Sequence, residues 1–141
     1  MNSTLPSFDA LQVGDRIPDL ALPPLSRLNL ALYCGASGDH NPIHVDIDFA
    51  RQAGMPDVIA HGMLSMAWLG RLVTHWVPQT ALRDLNVRFA AMTQVGECIT
   101  CQGEVTEKFE VAGERRVRLA ISTRNEQGQV KLAGEAVVAV N

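Results

Sequence analysis

The chain has 141 residues, 47% of them hydrophobic and 19% charged, with a formal net charge of -3. That length and balance suit one domain around a single apolar core, and the acidic charge speaks against a nucleic-acid partner, which calls for a concentrated basic stripe. The 3 cysteines, Cys34, Cys98 and Cys101, are too few and too unevenly spaced for a secreted disulfide framework. No basic segment followed by an apolar run opens the sequence, so no secretory signal is read and the cytoplasm is the expected location.

Residues 1–6 are expected to fray, and residues 7–141 to form the domain. Val13-Gly14-Asp15 reads as a turn into an opening strand near Arg16 to Leu22, which Pro23-Pro24 ends. Ser26 is an N-cap candidate for a helix through about Ala36, with Leu28, Leu32 and Tyr33 at helical spacing and Gly38 closing it. Asp48 to Gln52 predicts a short helix ending at Gly54, before the loop Met55-Pro56-Asp57. His61-Gly62 then introduces a long apolar helix from Met63 to Val77. Arg71 and His75 interrupt it and Pro78 stops it, short of the ~20 apolar residues a membrane span needs. Nearly apolar all round, this helix must be wrapped by other elements.

The rest of the sequence supplies the wrapping. Leu85, Val87 and Phe89 alternate with polar neighbours, as do Val117, Leu119 and Ile121, and then Val130, Leu132, Ala136, Val138 and Val140. Ile99, Cys101, Gly103, Val105 and Phe109 are expected on one face of a further strand, and Cys98, Thr100, Gln102, Glu104 and Lys108 on the other. The C-x-x-C thiols then point to opposite sides, which removes the case for a redox or zinc motif. Gly113-Glu114 and Gln127-Gly128 read as hairpin turns, and Arg115, Arg116 and Arg118 as a turn and a solvated strand face. The order of strand, helices and consecutive strands predicts an α+β fold with an antiparallel sheet around the long helix.

Chemistry concentrates in Ser37-Gly38-Asp39-His40-Asn41-Pro42-Ile43-His44. Pro42 lacks an N–H and disfavours helix at Asn41, and Gly38 permits a backbone that most residues avoid, so Asp39 and His44 sit in a shaped turn. A carboxylate and an imidazole there can divide the work of activating water and delivering a proton. The helix start at Gly62 and Met63 exposes unpaired amides suited to a developing oxyanion. Asp39 alone reads as a turn brace and His44 alone as a structural histidine; their conjunction with Ala60-His61-Gly62 favours a catalytic pair. His61 is read as holding the oxyanion turn, His40 as exposed, His75 as lying on the polar side of the long helix, and Arg88 as solvent-facing. Met63 and Met66 are read as core first and acyl-channel lining second.

Tyr33 through His44 with Asp46, together with Ala60-His61-Gly62-Met63 and, more weakly, Leu85-Asn86-Val87-Arg88-Phe89, resembles the hydratase 2 motif of the MaoC-like dehydratases, a hot-dog fold family. The resemblance implies reversible hydration of a trans-2-enoyl thioester of coenzyme A or acyl carrier protein to the (3R)-3-hydroxyacyl thioester, as in fatty acid metabolism, without metal or organic cofactor. It implies Asp39 and His44 as the catalytic pair, Asn41 as orienting the loop or its water, and the Gly62 amide as holding the thioester oxygen. Some (R)-hydratases carry a serine in mid-helix where this chain has Gly70, read here as widening the acyl channel or admitting a close backbone; Ser65 is given no catalytic role. Two other functions compete: a non-catalytic hot-dog partner subunit, which retention of both Asp39 and His44 disfavours, and an acyl thioesterase, since the fold hosts that reaction too. An uncovered sheet edge predicts at least a dimer.

Overall fold

The structure, a computed structural model, describes residues 5–141. Strands β1 (Leu20–Ala21), β2 (Leu82–Phe89), β3 (Thr100–Val111), β4 (Glu114–Arg124) and β5 (Val130–Ala139) form one antiparallel sheet in the order β1-β3-β4-β5-β2. Helices α1 (Arg27–Ser37), α2 (Ile47–Gln52) and α3 (Gly62–Trp76) all precede β2. The sheet curls around α3, which gives the expected hot-dog arrangement. Leu69, Leu72 and Val73 of α3 are buried against Val105, Leu119 and Val138 of the sheet. Strands β5 and β2 approach closely at Gly134, where a Cβ would lie 2.0 Å from the backbone oxygen of Asn86, so only glycine fits.

Local chemistry explains the helix limits. Ser26 Oγ accepts a bond from the Asn29 N–H while the Asn29 side chain accepts from the Ser26 N–H, a reciprocal cap that starts α1. Gly38, at φ 75°, ends the helix by donating its N–H to Cys34 O at 3.1 Å. Asp46 caps α2 through bonds from the Asp48 and Phe49 amides. Pro78, with no N–H to offer, prevents α3 from continuing. Leu25, Leu30, Ala50 and Val58 form a second, smaller core under α1 and α2, and Trp68 packs against both cores.

The structure corrects four details of the sequence reading. The opening strand shrinks to Leu20–Ala21 plus an isolated bridge from Arg16 to Glu104, because Pro18 cannot donate to a ladder. A register shift between Val105 and Glu107 reverses the facing beyond it. Lys108 therefore pairs with buried Val117, its ammonium over the Phe8 ring, while Phe109 lies beside Arg118 on the outer face. Of the terminus read as frayed, residues 1–4 lie outside the described residues, whereas Leu5 packs on the core and Pro6 O accepts the Asn141 N–H. Met63 is not a core residue: it is 55% exposed.

The C-x-x-C divides as its spacing predicts. Cys101 is fully buried, and desolvation pushes its thiol up to about 12, so it is inert; Cys98 is only partly covered. Each of the clustered arginines pairs with a carboxylate: Arg115 with Asp9, Arg116 with Glu114, and Arg118 with Glu107 and Glu135. Among the described residues no helix is long and apolar enough to cross a membrane.

Candidate active site

Asp39 and His44 meet through a loop that its own residues shape. Asp39 Oδ1 accepts the Asn41 N–H at 3.3 Å, and Asn41 Oδ1 accepts the Ile43 N–H at 3.1 Å, two consecutive side-chain turns. Pro42 opens the 3-10 turn Pro42–His44, which carries the His44 ring inward, where it is buried. His44 Nδ1 donates to Ile59 O at 2.8 Å, which leaves Nε2 as the acceptor. That Nε2 lies 3.9 Å from Asp39 Oδ2, too far for a direct hydrogen bond and suited to a water touching both groups.

His61 ties this loop to α3. Its ring stacks on His44, centroids 3.7 Å apart at 24°, and meets Tyr33 edge-on. His61 Nε2 lies 3.3 Å from both Asp39 O and Cys34 Sγ, so it donates toward the Asp39 carbonyl. Burial and the neighbouring His44 lower its pKa below the ordinary 6.5, against the pull of Asp39, so the ring is a neutral spacer. Asp39, His44 and His61 offer ligand atoms within 4.8 Å of one another. His61 Nε2, however, carries a proton directed at Asp39 O and so offers no lone pair there, whereas a metal needs every ligand nitrogen free at ~2.0–2.1 Å. The geometry suits proton transfer better than coordination.

Beside His44 lies a cleft of about 440 Å³, lined by Ile59, Ala60, Gly62, Ser65, the stretch Phe89 to Thr93, and Leu132. Helix α3 begins at its wall. The Gly62 and Met63 amides open the helix with no intrahelical acceptor, and His61 makes no side-chain cap bond to them. A Cβ on Gly62 would come 2.9 Å from Phe89 Cε1, so any side chain there presses on the ring and narrows the approach to the amide.

The expected residues thus divide by role. His44 and Gly62 line the cleft, with Asp39 beside His44. Asn41 is exposed and braces the loop, and Met63 places only its amide at the helix start. Gly70 lies outside the cleft lining, and a Cβ there would make only an ordinary 3.9 Å contact with Leu85, so neither role read for it holds. Ser65 does line the cleft and is 2% exposed. Phe89, expected inward with Leu85 and Val87, is 52% exposed over Gly62 at the end of β2. The wall from Ala90 to Thr93 carried no motif in the sequence.

The MaoC-like domain model matches residues 16–127. An (R)-specific enoyl-CoA hydratase from Rhodospirillum rubrum is 30% identical over 118 residues, covering 82% of this chain and 80% of its relative. The fatty acid synthase subunit beta of Saccharomyces cerevisiae is 31% identical over 109 residues, 75% of this chain but only 5% of that much longer protein. Similarly, the chain spans 13% of the mouse peroxisomal multifunctional enzyme type 2. An R-hydratase from Pseudomonas aeruginosa superposes with a TM-score of 0.83 at 28% identity, covering 98% of this chain and 87% of that one. Matching sequence over most of its length and matching the curled sheet around a central helix, the chain belongs to the MaoC-like domain family.

Proposed function

We propose that this protein is a hydro-lyase that reversibly adds water to a trans-2-enoyl thioester, giving the (3R)-3-hydroxyacyl thioester. The observation that carries the reading is the pairing of an Nδ1-protonated His44 with Asp39 across a water-sized gap, beside the free amides of α3. With the thioester oxygen at the Gly62 amide, C3 faces the water held by Asp39 Oδ2 and His44 Nε2. His44 takes one proton as the water oxygen bonds to C3, and the C2–C3 π electrons move toward the thioester oxygen. The Gly62 N–H stabilises that charge. The imidazolium then gives its proton to C2 on the same face, which restores neutral His44, while Asp39 orients the water through its second hydrogen. Every atom comes from water and the thioester, so the cycle needs no cofactor.

Purified protein mixed with crotonyl-CoA and with a longer enoyl-CoA tests this directly. Loss of enoyl absorbance without free thiol is expected; thiol release identifies a thioesterase, and inactivity across chain lengths points to a partner subunit. The active form is proposed to be a dimer or higher oligomer, supported by β2 standing at the edge of the sheet with Phe89 exposed. Light scattering that finds a stable monomer overturns that part.

A further inference from the structure

The wall opposite the α3 N-terminus, from Ala90 to Thr93, belongs to no helix or ladder. Behind it lies an ion pair, buried at Lys131 and largely covered at Glu97, that is bonded to the segment. Lys131 is 3% exposed, and its Nζ donates to Glu97 Oε1 at 2.8 Å and to Met92 O at 2.9 Å. Glu97 Oε2 accepts the Gln94 N–H at 2.7 Å, and Oε1 accepts from Asn125 Nδ2 at 2.9 Å. The Lys131 backbone oxygen meanwhile accepts the Ala90 and Ala91 amides. Lys131 reaches this position because β5 carries a bulge there: Thr123 pairs with Leu132 and Arg124 with Val130, so the residue between has no partner on β4.

The anchored segment continues into the site. Thr93 O accepts the Ala60 N–H at 3.0 Å, Gln94 bridges Ile59, and Ile59 O is the acceptor that orients His44. A buried ion pair is a weak source of stability, because desolvation of both charges offsets their attraction. What this one supplies is direction: two ends of a ladderless segment fixed to one point. We propose that Lys131 and Glu97 act as a positioning pair that holds the substrate-facing wall of the cleft, setting how tightly the acyl thioester binds. The kinetic part rests on the hydratase reading above; the structural part does not.

The test uses the full-length double variant Lys131→Met/Glu97→Leu, which removes both charges without stranding one, with Glu97→Gln as a second variant in case the double does not fold. Amide hydrogen exchange is read at Ala60 and Ala91, neither of which bonds to either side chain, against Leu119 in β4. Exchange at Ala60 and Ala91 is expected to rise at least tenfold relative to Leu119. With crotonyl-CoA, KM is expected to rise at least tenfold while kcat stays within threefold. Wild-type exchange ratios and wild-type KM in a folded variant overturn the proposal, as does a loss confined to kcat. If the wild-type protein hydrates no enoyl thioester, the hydratase reading fails, and the exchange ratios still decide whether the pair holds the wall.

Discussion

The two sides of the cleft are built by opposite means. The loop from Gly38 to Asp46 takes its shape mainly from its own residues, a left-handed glycine, two side-chain turns, a proline and a 3-10 turn within a few positions, with His61 and Ile59 O docking it. The wall from Ala90 to Gln94 has no such dense local code: nearby Glu97 accepts the Gln94 amide, but the segment hangs chiefly from Lys131, which lies 39 residues beyond Met92 on β5. Chemistry that demands fixed geometry sits on the locally coded side. The binding wall is coded more from a distance, and it reaches the base through the Gln94 bridge to Ile59, whose carbonyl orients His44.

This contrast can be broken from either side. The largest effect belongs to the chemical groups: Asp39→Asn and His44→Ala should each lower kcat by about a hundredfold or more, with circular dichroism and Tm little changed. Retention of normal rates would remove the pair from the mechanism. On the other wall, Lys131→Met leaves the largely covered Glu97 without its cation and should cost about 3 kcal/mol in denaturant unfolding. Adding Glu97→Leu should recover most of that loss. Asn41→Ala removes one turn-bracing acceptor and should cost only about 1 kcal/mol. An Asn41→Ala loss as large as that of Lys131→Met would erase the distinction between local and distant support.

The smallest effect is a pH dependence. Because the folded protein lowers the pKa of His61, the unfolded chain takes up that proton first, near 6.5. His61 therefore destabilises the fold as pH falls below about 6.5, and Tm should decline there more steeply in the wild type than in His61→Gln. Glu97 adds an acid-side loss at lower pH. Burial works to raise its pKa, but the bonds from Lys131, Asn125 and Gln94 outweigh burial and hold it below the ordinary 4.5. Its stabilisation is present above about 4.5 and disappears as pH falls through the lowered value. Equal slopes for wild type and His61→Gln between pH 7 and 5 would contradict the first of these.

Much of the site is readable in the sequence because its signals are short-range. Ser26, Gly38, Pro42, Asp46 and Pro78 act on backbone within a few residues, and they set the helix limits and the Asp39 to His44 turn. Strand facing is readable only up to a bulge. At Thr106 and again at Lys131 one extra residue reverses or frees the neighbouring side chains, and no alternation pattern announces it. Phe109 and Lys131 escape the pattern for that reason. Phe89 departs from it differently: its alternation is intact, but β2 ends there at the cleft, where Gly62 covers only part of the ring.

By itself, then, the sequence determined the local matters: an acid and a base in one rigid turn, a helix start with free amides, and a chain order that must wrap a sheet around an apolar helix. Those depend on backbone conformation and periodicity, which neighbouring residues control. Tertiary structure alone decided the His44 tautomer set by Ile59 O, the Phe89 ring over Gly62 and the wall held by Lys131. Each of these joins residues that the chain brings together only once the sheet has curled, so no stretch of sequence contains them.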